Sequence, residues 1–90
     1  MSAFMAVATF QEGTNMDEVF AVREEESKVV HALQGEGRMG AVSISLERGT
    51  VFLEITAPDE AKARETVLEL PMSRWWNIEI FPLITPTISH

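Results

Sequence analysis

The chain contains no cysteine and no tyrosine, and only two histidines, His31 and His90. Without cysteine it can form no disulfide, offers no thiolate nucleophile and has no cysteine-ligated zinc site. Two histidines, one of them the last residue, leave too few ligands for a histidine-based metal centre, so no metal is expected. Cations are scarce as well: seven Lys and Arg stand against fourteen Asp and Glu, a net charge of −7. That balance argues against a nucleic-acid partner, because such binding rests on neutralising phosphates. No run approaches the ~18 apolar residues of a membrane span. Met1–Phe10 has neither the basic start nor the length of a signal peptide. A cytoplasmic protein without membrane contact is therefore expected. What is present is an ordinary globular composition, 46% apolar and 23% charged, over 90 residues. That length suits one domain covering residues 1–90.

Punctuation along the chain divides it into six elements. Phe4–Phe10 is a short apolar run of strand character, closed by the Gln11–Asn15 turn. Asn15 or Thr14 can cap a helix over Met16–Leu33, with Asp17 and Glu18 favourable in its first turn. Gly35 and Gly37 stop it. Met39–Leu46 alternates, placing Val42, Ile44 and Leu46 on one face and Ala41, Ser43 and Ser45 on the other. Glu47–Thr50 reads as a hairpin turn into a strand over Val51–Ile55. Thr56, Pro58 and Asp59 mark a helix start with a Thr cap. The second helix runs from about Pro58 to Leu70, with Ala61, Ala63, Val67, Leu68 and Leu70 as its apolar surface. Pro71–Trp76 reads as a loop, Asn77–Leu83 as a last strand, and the tail from Ile84 as irregular.

The order β-α-β-β-α-β is the ferredoxin-like pattern of an α+β fold. It predicts a four-stranded antiparallel sheet with two helices on one face. The other face is then bare, which predicts a homodimer through the sheet, a dimeric α+β barrel, or a higher homo-oligomer.

Within the first helix, Val19, Val22, Val29, Val30 and Leu33 fall on one stripe at about 100° per residue. Glu26 projects from the middle of that stripe, while Glu24, Glu25 and Lys28 point to water. A carboxylate facing apolar surroundings must be paired, reach solvent at the domain edge, or accept a raised pKa. The last state is the one that proton-transfer chemistry uses. His31 lies about 140° around the helix from Glu26 and cannot share a site with it in one protomer.

The C-terminal third, Leu70-Pro71-Met72-Ser73-Arg74-Trp75-Trp76-Asn77-Ile78-Glu79-Ile80 followed by Pro82-Leu83, resembles the muconolactone isomerase family. Leu33-Gln34-Gly35-Glu36-Gly37 is similar to the family's helix exit, and Leu53–Asp59 to its central strand. Glu26 lines up with a family glutamate. The resemblance implies homo-oligomers of ferredoxin-like protomers that move a proton on a small unsaturated lactone acid, without metal or cofactor. It further implies Glu26 as acid/base. The chain departs from the family where a strand rich in Trp, His and Arg is replaced by Met39-Gly40-Ala41-Val42-Ser43-Ile44. That change points to a smaller, more apolar or less charged ligand than muconolactone, such as an aromatic-degradation or polyketide-like intermediate.

Arg38, Ser43, Arg74, Trp75 and Trp76 are the candidates for shaping a substrate pocket around Glu26. The bland reading of Arg38, Arg74 and Arg48 is solvated surface charge. The two Trp residues can wall a pocket or anchor a subunit contact. Two functions stay open. One is a cofactor-free isomerase or cyclase using Glu26. The other is a non-catalytic dimeric barrel that binds a small molecule or serves assembly.

Overall fold

A computed structural model describes residues 1–84. His90 and all of the tail beyond Ile84 lie outside the described residues. The elements are β1 (Ser2–Phe10), α1 (Met16–Ala21), α2 (Arg23–Gly35), β2 (Met39–Ser45), β3 (Thr50–Ala57), α3 (Glu60–Leu68), a 3-10 helix (Pro71–Trp75) and β4 (Trp76–Leu83). The strands form one antiparallel sheet in the order β2-β3-β1-β4. This is the expected ferredoxin-like α+β fold.

Alternation in the strands separates two sheet faces. Phe4, Ala6 and Ala8 of β1, Val51, Leu53, Ile55 and Ala57 of β3, and Trp76 of β4 are buried in one core with Leu33, Ala63, Val67 and Leu70. Ala6, Ala8 and Ala63 are small, which lets α3 approach the central strands closely. Each fully buried Leu or Ile contributes roughly 1.5–3 kcal/mol over exposure. On the other face Val7, Phe52, Ser43 and Glu79 share one row, and Met5, Glu54 and Phe81 the next. No described residue covers Phe52, Phe81 and Leu83 there.

Several boundaries differ from those read in the sequence. The first helix is two helices, broken at Val22, whose φ of −104° and ψ of 10° leave the helical region. No Gly or Pro marks the break, and residue periodicity is nearly the same on both sides of it, so the pattern reads as continuous. Asn15, rather than Thr14, caps α1 by accepting from the Asp17 amide at 2.9 Å. Gly37, at φ +75°, ends α2. Its amide bonds Gln34 O and the Arg38 amide bonds Leu33 O, the paired geometry of a Schellman cap. Gly35 is still helical.

Asp59, not Thr56, caps α3, accepting from the Lys62 amide at 2.8 Å. The helix begins at Glu60 because Thr56 and Ala57 are still paired in the sheet. Ala61 and Leu68 face outward rather than into the core. Pro71–Trp75 is a 3-10 helix where a loop was expected, and Trp76 already belongs to β4.

The β2 alternation is also interrupted. Met39 pairs with Ile55 but Val42 with Leu53, so three steps on β2 match two on β3. This bulge keeps both Met39 and Val42 facing the core. Its loosened backbone groups are satisfied by side chains: Glu54 accepts the Ala41 amide at 2.8 Å and Gln34 donates to Gly40 O at 2.9 Å. Leu46 lies in the hairpin turn closed by Gly49, not in the strand, and is 90% exposed.

Candidate functional site

Glu26 sits in the first turns of α2 and is half-buried. Its Oε1 accepts the Met72 amide of the 3-10 helix at 3.0 Å. That amide is one of the unpaired donors at a helix start, so the carboxylate ties α2 to the segment leading into β4. Burial pushes the Glu26 carboxyl above its ordinary range, opposed by the bond from Met72. Among the described residues the ion pairs are Arg38–Glu36, Arg38–Glu69 and Lys62–Glu65, so no cation neutralises Glu26.

Its partner Met72 also lines a cleft of about 230 Å³, together with Phe10, Met16, Val19, Phe20, Arg23, Ile44, Leu46 and Val51. It lies between α1, the start of α2 and the β2–β3 hairpin. The wall is apolar throughout, Arg23 contributing its aliphatic stem while its guanidinium bonds Phe20 O. Met72 joins the two features: its side chain lines the cleft while its amide holds Glu26. Glu26 itself is not on the cleft wall, and its Oε1 is engaged by the Met72 amide.

The other sequence candidates do not gather there. Arg38 binds the carboxylates of Glu69 and Glu36 and donates to Thr66 Oγ1 at 3.1 Å. It lines a different cavity, of about 250 Å³, with Lys62 and Thr66. Ser43 lies on the uncovered sheet face beside Phe52. Arg74 is exposed, stacks 4.5 Å over the Trp75 ring and donates to Pro71 O. Trp75 is half-buried beneath it.

Trp76 is buried and meets the Phe10 ring edge-on, with centroids 6.4 Å apart. Phe10 in turn lines the cleft, so Trp76 supports its wall from behind. The Trp76 indole N–H is a buried donor without a partner among the described residues. His31 is exposed, as its angle to Glu26 implied. No three His, Asp or Glu side chains gather as a metal site among the described residues. No helix among them is long and apolar enough to cross a membrane.

Arg23 and the cleft-lining aromatics Phe10 and Phe20 are absent from the sequence-derived set. A signal for Arg23 existed: three positions before Glu26 in a helix, it shares the stripe with it. Phe10 and Phe20 had no comparable mark, since one lies at a strand end and the other on α1.

A model of the muconolactone delta-isomerase family matches residues 3–87. No individual curated protein matches the chain. The match spans every element described above, including α2 with Glu26 and the segment bearing Met72.

Proposed function

The chain belongs to the muconolactone delta-isomerase family, and from that premise we propose an isomerase-type enzyme working by proton transfer on a small unsaturated lactone or related oxygenated compound. Glu26 is its acid/base. The observation that carries this reading is the half-buried carboxylate, raised in pKa and unpaired by any described cation, bonded to the amide of Met72, whose side chain lines an apolar cleft.

In a 1,3 proton shift the Glu26 carboxylate removes a proton from the carbon beside the conjugated system. The electron pair of that C–H bond moves into the conjugated system, giving an enolate. Glu26 then returns the proton to the far carbon and ends as it began. No electrons are gained or lost, so the reaction needs no redox partner. The raised pKa narrows the gap between carboxylate and carbon acid, and the Met72 bond fixes the direction of the group.

Where the family carries polar side chains on its second strand, Ile44 faces this cleft, and Leu46 stands at its rim. That lining supports a ligand more apolar than muconolactone. Two copies stacked through Met5, Val7, Phe52, Phe81 and Leu83 complete the proposed assembly, in the cytoplasm, where a chain without cysteine loses nothing. The test is deuterium incorporation from D₂O into a simple unsaturated γ-lactone, followed by proton NMR. Wild-type protein should exchange the ring proton and Glu26→Gln should not.

A second reading is a non-catalytic barrel for small-molecule binding or assembly. It is favoured by the Met72 bond, which gives Glu26 a structural task that needs no substrate. Absence of exchange by wild-type protein would select it.

A further inference from the structure

The cleft between α1 and the β2–β3 hairpin exposes no polar atom to an occupant. Phe10 and Phe20 give it two aromatic rings, Met16 and Met72 two thioethers, and the rest is aliphatic. Val19 and Val51 are almost wholly buried and form its floor, while Phe20 and Ile44 are more than half exposed at its mouth. Arg23 adds only its stem, because its guanidinium donates to Phe20 O at 3.0 Å. The Met72 amide is likewise taken, by Glu26. The charges that α1 itself carries, Asp17 and Glu18, are exposed acids. An anion approaching this cleft therefore meets like charge at α1 and no donor on the wall.

We infer that this cleft is the subsite for an uncharged hydrocarbon group of the substrate, an inference that rests on the isomerase reading proposed above. The substrate class is then a neutral lactone or related oxygenated compound bearing a short alkyl or aryl substituent. A carboxylate placed in the cleft would lose its water without gaining a partner. A hydrocarbon group loses nothing on leaving water and gains contact with the wall. The net charge of −7 acts in the same direction, repelling acids and leaving neutral compounds unaffected. Size narrows the class further. An apolar cavity of about 150 Å³ takes up benzene, so a cleft of about 230 Å³ has room for a ring with a short chain. The two rings and two thioethers suit an aromatic occupant, through edge contacts and sulfur–ring contacts. A group seated there packs on the side chain of the residue whose amide Glu26 binds, which ties the subsite to the carboxylate.

Isothermal titration with toluene, ethylbenzene and phenylacetate tests this without any need for turnover. Ethylbenzene and phenylacetate differ in a terminal methyl against a carboxylate, and toluene lacks one methylene of ethylbenzene. Wild-type protein should bind ethylbenzene about fourfold more tightly than toluene, the usual gain for one buried methylene. Phenylacetate at neutral pH should bind at least about tenfold more weakly than ethylbenzene. Ile44→Gln and Phe20→Gln, each placing an amide at the mouth, should both weaken ethylbenzene by about tenfold. Both positions are exposed, so the variants should fold, and thermal melting checks that they do. Phenylacetate binding as well as ethylbenzene overturns the inference. So do a wild type that binds neither hydrocarbon, equal affinity for the two, and full affinity in both variants. Sedimentation names the competing occupant: if wild type binds no hydrocarbon and Ile44→Gln lowers its oligomeric state, the cleft is a subunit contact and the inference falls. The two readings fail separately. Hydrocarbon binding without deuterium exchange removes isomerisation and leaves the apolar site standing, while exchange into the simple γ-lactone without hydrocarbon binding removes the subsite alone.

Discussion

Glu26 Oε1 accepts the amide hydrogen of Met72 at 3.0 Å, across 46 positions of sequence. The same carboxylate is therefore both a cap for the 3-10 helix and the acid/base candidate. Substitutions must separate those two tasks. Glu26→Gln keeps an oxygen acceptor for Met72 and removes the titrating proton. The expected result is a folded protein whose proton exchange falls by about 10²–10⁴, the usual contribution of a positioned acid/base. Wild-type rates in Glu26→Gln would eliminate Glu26 as the base. Glu26→Leu is a poorer probe, because it also leaves the Met72 amide unsatisfied at about 1–3 kcal/mol.

The raised Glu26 pKa makes stability depend on pH in a definite direction. The folded chain binds this proton more readily than the unfolded chain, so ν_N exceeds ν_U between the ordinary Glu value and the raised one. The stability Glu26 contributes is full below the unfolded value and is lost as pH rises through the folded value. Urea unfolding of wild type and Glu26→Gln across that window should show their difference widening toward neutral pH in favour of Gln. A difference that stays flat would mean the carboxyl is not desolvated.

At the β2 bulge, a Cβ on Gly40 would stand 2.8 Å from Glu54 Oε2. Gly40→Ala must therefore displace the carboxylate that accepts the Ala41 amide. A loss of about 1 kcal/mol is expected in urea unfolding, since the bond is solvent-exposed. The cost should shrink in a Glu54→Ala background, where the carboxylate is gone and only the Cβ at 3.2 Å remains in contact. An equal cost in both backgrounds would assign the effect to the backbone alone.

Asp59→Ala should destabilise by about 0.5–2 kcal/mol, because it removes the side-chain acceptor of the Lys62 amide. Thr56→Ala should cost less, as Thr56 is an exposed strand residue rather than the cap. Thermal melts of the two variants decide the matter by their order.

The uncovered sheet face supplies the test of assembly. Phe52 sits in one row with Val7 and Glu79, so Phe52→Glu adds a second carboxylate to that row. Sedimentation should show wild type as a dimer or larger and the variant shifted toward monomer. A wild type that sediments as a monomer would remove the stacked-sheet proposal.

Periodicity and punctuation were enough to read the antiparallel sheet, its two faces and the inward set of Glu26, because alternation and helical stripes are local properties of the chain. The helix exit at Gly37 and the early acids of α1 were legible for the same reason. The break at Val22 was not, since it carries no Gly or Pro and depends on how α1 and α2 meet the rest of the chain. The local pattern places Asp59 inside the helix, whereas it is the cap, because the extent of β3 is set by pairing with β1.

The composition of the cleft belongs to tertiary structure alone. Phe10, Phe20, Ile44 and Met72 come from four separate elements and share no sequence pattern, and the Met72 amide reaches Glu26 only after the chain has crossed the sheet. Arg38 was credible on type and position, yet folding engages it with Glu36 and Glu69 at another cavity. Sequence alone determined that an acid would be presented on the packed side of a helix, because side-chain direction follows from residue spacing. Which groups stand around that acid was decided by packing, because neighbours in space are set by the closure of the sheet and not by adjacency along the chain.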